Sequence, residues 1–223
     1  MKSHWEQEAA NWIAWARTAG HDVYWSYRDP FFELVPPPGR ATLEIGCGEG
    51  RVCRDLASRG HLVTGIDQSL SLLRAAASAH PEGTYAIADA SALPFDDGSF
   101  DLVVAYNSLM DMEDMPGAVR EAERVLAPGG AFCVCITNPI ADLARWNGNG
   151  WTLERPYIQS GRFEGTYTRD GLTMTFKGWT HPLSVYSRAL EAAGLRIEAL
   201  REPVPPIRRD DLLPMFVMFR AAR

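Results

Sequence analysis

Short apolar runs alternate with helical patterns along most of this chain. Ala41–Ile45, Leu62–Ile66 and residues 84–88, 100–105 and 131–137 have the length and apolar character of buried strands. Between them Arg51–Arg59, Ser69–Ala79 and Pro116–Leu126 carry helical spacing. The boundary residues agree: Gly60 closes the first helix, Ser69 can cap the second, and Pro116 sits in the first turn of the third. Asp96-Asp97-Gly98-Ser99 and Pro128-Gly129-Gly130 supply turns ahead of the fourth and fifth strands. This alternation predicts a doubly wound α/β domain, a mostly parallel sheet with helices on both faces.

Both ends depart from that rhythm. Trp5, Trp12 and Trp15 recur at helical spacing, which predicts one amphipathic helix over 3–19 and a second short segment over 24–32. Together they make an N-terminal helical cap over 1–35, ended by Pro36-Pro37-Pro38-Gly39, and the core follows over 36–137. Residues 138–180, rich in Gly, Trp, Tyr, Thr and Arg, are too long for a plain connection and read as a substrate lid. Residues 181–223 hold a helix over Ser184–Ala193 stopped by Gly194, then strands at 195–201 and 215–220. With 223 residues and no linker-like stretch, the expectation is a single domain.

The candidate chemistry lies where the first strand breaks into its helix, at Glu44-Ile45-Gly46-Cys47-Gly48-Glu49-Gly50. Glycines in such a turn let backbone approach a ligand closely, and Asp67 follows the first of them by about 20 residues, the spacing that puts a carboxylate on a ribose. A dinucleotide fingerprint would need glycine where Arg51 stands, and Glu44 would repel a pyrophosphate. S-adenosylmethionine has an adenosine, an ammonium, a carboxylate and a sulfonium but no phosphate, and it suits both Glu44 and Asp67.

The glycine segment, Asp67, Ala88-Asp89-Ala90, Leu93-Pro94-Phe95 and Leu126-Ala127-Pro128-Gly129-Gly130 together resemble a class I S-adenosylmethionine-dependent methyltransferase of the small-molecule type, in the family's order over residues 35–137. The resemblance implies a Rossmann-like seven-stranded sheet whose last strand inserts antiparallel beside the fifth. It also implies that Glu44, Gly46, Cys47, Gly48 and Gly50 surround the methionine part, that Asp67 takes the ribose hydroxyls, and that Asp89 and Ala90 meet the adenine. Gln68 and Leu72 would border ribose and adenine, with Asn107 holding the amino end through its carbonyl. Two other readings stay open: a regulator that binds the same cofactor without turnover, and, less favoured, an NAD-dependent oxidoreductase.

Composition narrows the partners. A net charge of -6 argues against a phosphate-tracking surface, and no run is apolar and long enough to span a bilayer, so the expectation is a cytoplasmic enzyme acting on a small molecule, without nucleic acid or membrane. The sequence after the fourth strand, Tyr106-Asn107-Ser108-Leu109, lacks the Asn-Pro-Pro-aromatic motif of DNA amino-methylating enzymes, and it has no cysteine for cytosine C5 chemistry. Cys47, Cys53, Cys133 and Cys135 read as buried thiols in a reducing compartment, with no metal expected.

Methyl transfer from a sulfonium chiefly needs alignment and exclusion of water, and a base helps only when the acceptor must lose a proton. His181, after the lid, is the first candidate base and Asp111, after the fourth strand, the second. Trp25, Tyr27, Trp146, Trp151, Tyr157 and Trp179 are candidates to line the acceptor pocket. The acceptor, and whether O, N or C is methylated, stay undecided at this level.

Overall fold

The computed structural model describes residues 2–204 and 213–223. The cap comprises α1 (Lys2–Gln7), α2 (Ala9–Arg17) and α3 (Tyr24–Phe32). The core then runs β1 (Thr42–Ile45), α4 (Arg51–Ser58), β2 (Val63–Asp67), α5 (Leu70–Ala79), β3 (Thr84–Ile87) and β4 (Phe100–Tyr106). A single 3-10 turn at Leu109–Asp111 precedes α6 (Met115–Val125) and β5 (Leu126–Thr137). Next come α7 (Pro139–Leu143), the hairpin β6 (Ala144–Trp146) and β7 (Trp151–Leu153), and the longer hairpin β8 (Gly161–Arg169) and β9 (Leu172–Thr180). α8 (Leu183–Ala192), β10 (Arg196–Arg201) and β11 (Phe216–Ala222) complete the fold.

The seven-stranded sheet has the order β10-β11-β5-β4-β1-β2-β3. β11 lies antiparallel between β5 and β10, as the resemblance implied, while the β4, β1, β2 and β3 neighbours pair in parallel. Each face has its own core because successive strand residues point to opposite sides. Leu43, Val103, Phe132 and Val217 pack on one face with α6 and α8. Leu102, Val104 and Cys133 pack on the other with Tyr24 and Phe31 of α3 and Val52 and Leu56 of α4. All four cysteines are free and buried.

The core elements match the sequence reading to within a residue or two at most boundaries; β5 begins earlier, at Leu126. Ser69 caps α5, its hydroxyl accepting from the Leu72 amide at 3.2 Å. The cap differs: the helix expected over 3–19 divides at Glu8. The two pieces have separate anchors. Glu6 of α1 accepts from the hydroxyls of Ser69 and Ser71 (2.6 and 2.5 Å), whereas Arg17 of α2 donates to Glu49 (2.7 Å) and the Ala75 carbonyl (2.9 Å). The 138–180 segment is α7 followed by two hairpins; α7 contributes Asp142 to the central cavity, and of the hairpins only β8–β9 reaches it.

Phe132 is fully buried in the middle of the sheet. Phe132→Ala is expected to lower the unfolding free energy by about 3–5 kcal/mol, through lost transfer energy and the cavity left behind, as read by urea denaturation.

Candidate functional site

A cavity of about 1000 Å³ opens at the carboxyl ends of β1, β2, β4 and β5, roofed by α1, α2 and the β8–β9 hairpin. This is at the upper end of the roughly 300–1,000 Å³ usual for small-molecule sites, which leaves room for two molecules. The floor is the turn after β1. Gly46, Gly48 and Gly50 all have positive φ (70°, 55° and 82°), and a Cβ at Gly46 would stand 2.5 Å from the Ser108 Cβ. Only glycine allows β1 to pass this close to the loop after β4. The Ser108 hydroxyl donates to the Ile45 carbonyl at 2.7 Å and locks the two loops together.

Asp67 ends β2 and supports this turn directly. One carboxylate oxygen accepts from the Gly48 amide (2.9 Å) and the other from the Ser69 amide (2.8 Å). Burial pushes its pKa up, and these backbone donors oppose the shift. Asn107, at the end of β4, has a φ of 50°, rare for a residue with a side chain; its amide donates to the Cys135 carbonyl and its side-chain oxygen accepts from the Cys135 thiol. Strained backbone of this kind clusters where a ligand is held.

Glu44 is the most informative group. It is 2% exposed, lines the cavity, and its Oε2 has no hydrogen-bond partner among the described residues. Burial pushes its carboxyl up to about 8, despite the Cys53 thiol and Arg51. Arg51 begins α4 with its guanidinium over the rings of Trp12 (4.8 Å) and Tyr24 (4.5 Å). Its Nη1 lies 2.9 Å from Asp22, yet the angle leaves that N–H without a hydrogen bond. A buried carboxyl and a guanidinium with unused capacity thus sit beside one glycine turn, which fits the ammonium and carboxylate of an amino-acid moiety. Glu49 is engaged elsewhere, clamped by Arg17 and Arg54.

Of the residues singled out from sequence, Glu44, Gly46, Cys47, Gly48, Asp67, Gln68, Leu72, Asp89, Ala90 and Asn107 line this one cavity. Gly50 does not; its role is packing, since a Cβ there would meet Ala76 at 2.8 Å. Asp89 turns one oxygen toward the Ser91 amide and hydroxyl (2.9 and 2.7 Å).

The candidate bases separate. Asp111 lines the cavity, and burial pushes its carboxyl well above the ordinary range, opposed by a hydrogen bond from Trp5. His181 does not line it. The imidazole bonds Ser160 (2.8 Å), stacks on Trp179 (5.4 Å) and meets Tyr186 edge-on, and burial lowers its pKa.

Among the candidate pocket aromatics, Trp179 alone is in the lining. Trp25 is exposed, and Trp146 and Trp151 pair with each other on an exposed hairpin. Tyr27 is buried against Phe216, and the Tyr157 hydroxyl accepts from the Leu183 amide. The lining aromatics are instead Trp5, Trp12 and Trp15 of the cap, Phe163, Tyr167 and Phe176 of the β8–β9 hairpin, and Tyr24, Tyr106 and Phe216. Helical spacing announced the three tryptophans as one face, but which partner they cover depends on the fold. Arg51 had a visible signal, a charge directly after a glycine turn. Among the described residues, no helix is long and apolar enough to cross a membrane, and no cluster of His, Cys, Asp and Glu could hold a metal.

A raised carboxyl gives a testable sign. The folded state binds the Glu44 proton more tightly than the unfolded state, whose value is near the ordinary 4.5, so the contribution of Glu44 to stability is greatest at low pH and falls as pH rises from there to about 8. Glu44→Gln should flatten that slope, removing ~4 kcal/mol of pH-dependent loss between pH 5 and 9, measured by denaturation at the two pH values.

Comparisons with known proteins agree with this geometry. Residues 43–134 match the family model of a methyltransferase domain. Over 118 residues the chain is 33% identical to a demethylmenaquinone methyltransferase of Corynebacterium kroppenstedtii, which covers 53% of this chain and 50% of the relative. Over 167 residues it is 32% identical to the 2-methyl-6-phytyl-1,4-hydroquinone methyltransferase of Synechocystis, covering 71% of this chain and 47% of the relative. The chain thus spans about half the length of these curated relatives. A solved S-adenosylmethionine dependent methyltransferase from Mesorhizobium loti superposes with a TM-score of 0.74 at 26% identity, over 89% of this chain and 98% of that one.

Proposed function

Since this chain belongs to the class I S-adenosylmethionine-dependent methyltransferases, we propose that it transfers a methyl group from that donor to an O, N or C atom of a small molecule. The observation that carries the reading is the unpartnered Glu44 oxygen beside a phosphate-excluding glycine turn. S-adenosylmethionine supplies a methyl group already activated on a sulfonium. Glu44 holds its ammonium, with Asn107 contributing its carbonyl, and Arg51 holds its carboxylate. Asp67 accepts from the ribose hydroxyls with the lone pairs left free by Gly48 and Ser69. Asp89, Ala90 and Leu72 border the adenine.

The rest of the cavity receives the acceptor, under the cap and the β8–β9 hairpin. Its aromatic walls exclude water from the reacting centre, and Asp111 is the group positioned to take a proton where one must leave. His181, held by Ser160 and Trp179, packs ahead of α8 outside the cavity. The acidic balance and the free buried thiols support a small-molecule enzyme of a reducing compartment such as the cytoplasm.

Asp67→Ala is expected to weaken S-adenosylhomocysteine binding by about 1–3 kcal/mol, read by calorimetry, because charge-assisted hydrogen bonds are lost. Unchanged affinity would remove Asp67 from the donor site. Donor binding should also release a proton at pH 7 as Glu44 ionises against the ammonium. Repeating the titration in buffers of different ionisation enthalpy measures that release, and Glu44→Gln should abolish it. Transfer of a labelled methyl to a small-molecule panel tests the reaction itself; tight donor binding with no methylated product from any acceptor would overturn it.

A further inference from the structure

The acceptor end of the cavity is built around Asp111. Its carboxylate lies against the backbone of β9 at Gly178, where a Cβ would come within 2.8 Å of Oδ1 and 3.1 Å of the Met110 carbonyl. Any side chain at 178 would push the carboxylate out of place. Phe163, directly across the hairpin from Gly178, is on the same face and also lines the cavity. The Trp5 indole from α1 donates to Asp111. The side chains whose charge acts on it are Asp67 of β2, Asp142 of α7 and Tyr186 of α8, none of them cationic; the positive charge of the amino terminus acts in the opposite sense.

The cavity as a whole has the same bias. Its lining carries nine carboxylic side chains, of which Glu49 and Glu113 are paired with arginines outside it, and three cationic ones, Arg51, Arg169 and Lys177. Each cation is engaged away from Asp111. Arg51 pairs with Asp22, Lys177 with Glu164 at 3.1 Å, and Arg169 with the His21 carbonyl at 2.8 Å. A cleft with low-dielectric walls and this balance focuses negative potential and concentrates cations.

We propose that the acceptor is a hydrophobic amine, bound as its ammonium ion beside Asp111 with its hydrocarbon body against Trp5, Phe163 and Phe176, and that Asp111 receives its proton. The inference rests on the methyl-transfer reading and names the substrate class for that same site. In the proton step one N–H bond breaks, its electron pair stays on nitrogen, and the proton goes to a carboxylate oxygen of Asp111. The product is a neutral amine with a free lone pair and a neutral carboxyl. Burial, which favours the protonated carboxyl, drives this direction. An anionic acceptor would meet a lining in which acids outnumber cations, and a neutral alcohol would bring no positive charge to ionise Asp111.

The test uses the full chain loaded with S-adenosylhomocysteine and three probes of matched size: 2-phenylethylamine, 2-phenylethanol and 3-phenylpropanoate. Calorimetry should give the amine an affinity about tenfold or more above the alcohol, and the carboxylate the weakest. Asp111→Asn should lower amine affinity about tenfold while leaving S-adenosylhomocysteine affinity within about twofold. Equal or tighter binding of the alcohol, absence of amine binding, or an Asn variant that binds amine as the wild type does would each overturn the inference. The wild-type comparison decides the matter even if the variant fails to fold. Failure of S-adenosylhomocysteine itself to bind would instead remove the methyl-transfer reading beneath it.

Discussion

The site depends on how closely β1 approaches the loop after β4. Gly46 stands where a single added carbon would overlap Ser108, and the Ser108 hydroxyl closes the remaining gap by donating to the Ile45 carbonyl. This contact brings the carboxyl ends of two neighbouring strands to one level, so Glu44, Asn107 and Asp111 open onto a common space. Asp67 carries the constraint outward through its bonds to the Gly48 and Ser69 amides, which tie the glycine turn to the start of α5. A donor that bonds to Asp67 therefore meets a carboxylate already fixed in place, which lowers the ordering cost of binding.

The roof is held by a few polar contacts and by aromatic packing. Glu6 reaches Ser69 and Ser71, Arg17 reaches Glu49, His4 bonds the Thr175 carbonyl and Arg169 bonds the His21 carbonyl. Trp12 and Trp15 meet Phe176 edge to face at 6.1 and 6.0 Å. The cap and the β8–β9 hairpin thus hold each other over the cavity, and the water they displace leaves Glu44 and Asp111 in a medium that disfavours their charged forms. The raised carboxyls under this roof suit a cationic donor: its charge restores the ionised form that burial suppresses.

Much of the core was legible in the sequence because local chemistry and fold agree there. The apolar runs, Ser69 as a cap, Gly60 and Gly194 as stops and the spacing from Gly46 to Asp67 each require only neighbours along the chain. The cap shows where this fails. Trp5, Trp12 and Trp15 have one helical period, yet α1 and α2 divide at Glu8, with Glu6 bound at the start of α5 and Arg17 bound to Glu49 and further along α5. Trp146 and Trp151 looked like pocket residues by composition, but their hairpin is turned away from the cavity, and His181 is held aside by Ser160 and Trp179.

The sequence by itself determined the sheet's buried strands, the glycine turn after the first of them and the carboxylates Glu44 and Asp67 beside that turn, since these follow from residue type and spacing within one βαβ unit. The tertiary structure decided which aromatics roof the cavity, that Arg51 faces it, and that Asp111 rather than His181 opens into it. Those outcomes depend on contacts between separate segments, Arg51 with Tyr24, Asp111 with Gly178 and His4 with Thr175, and no local pattern encodes such pairings.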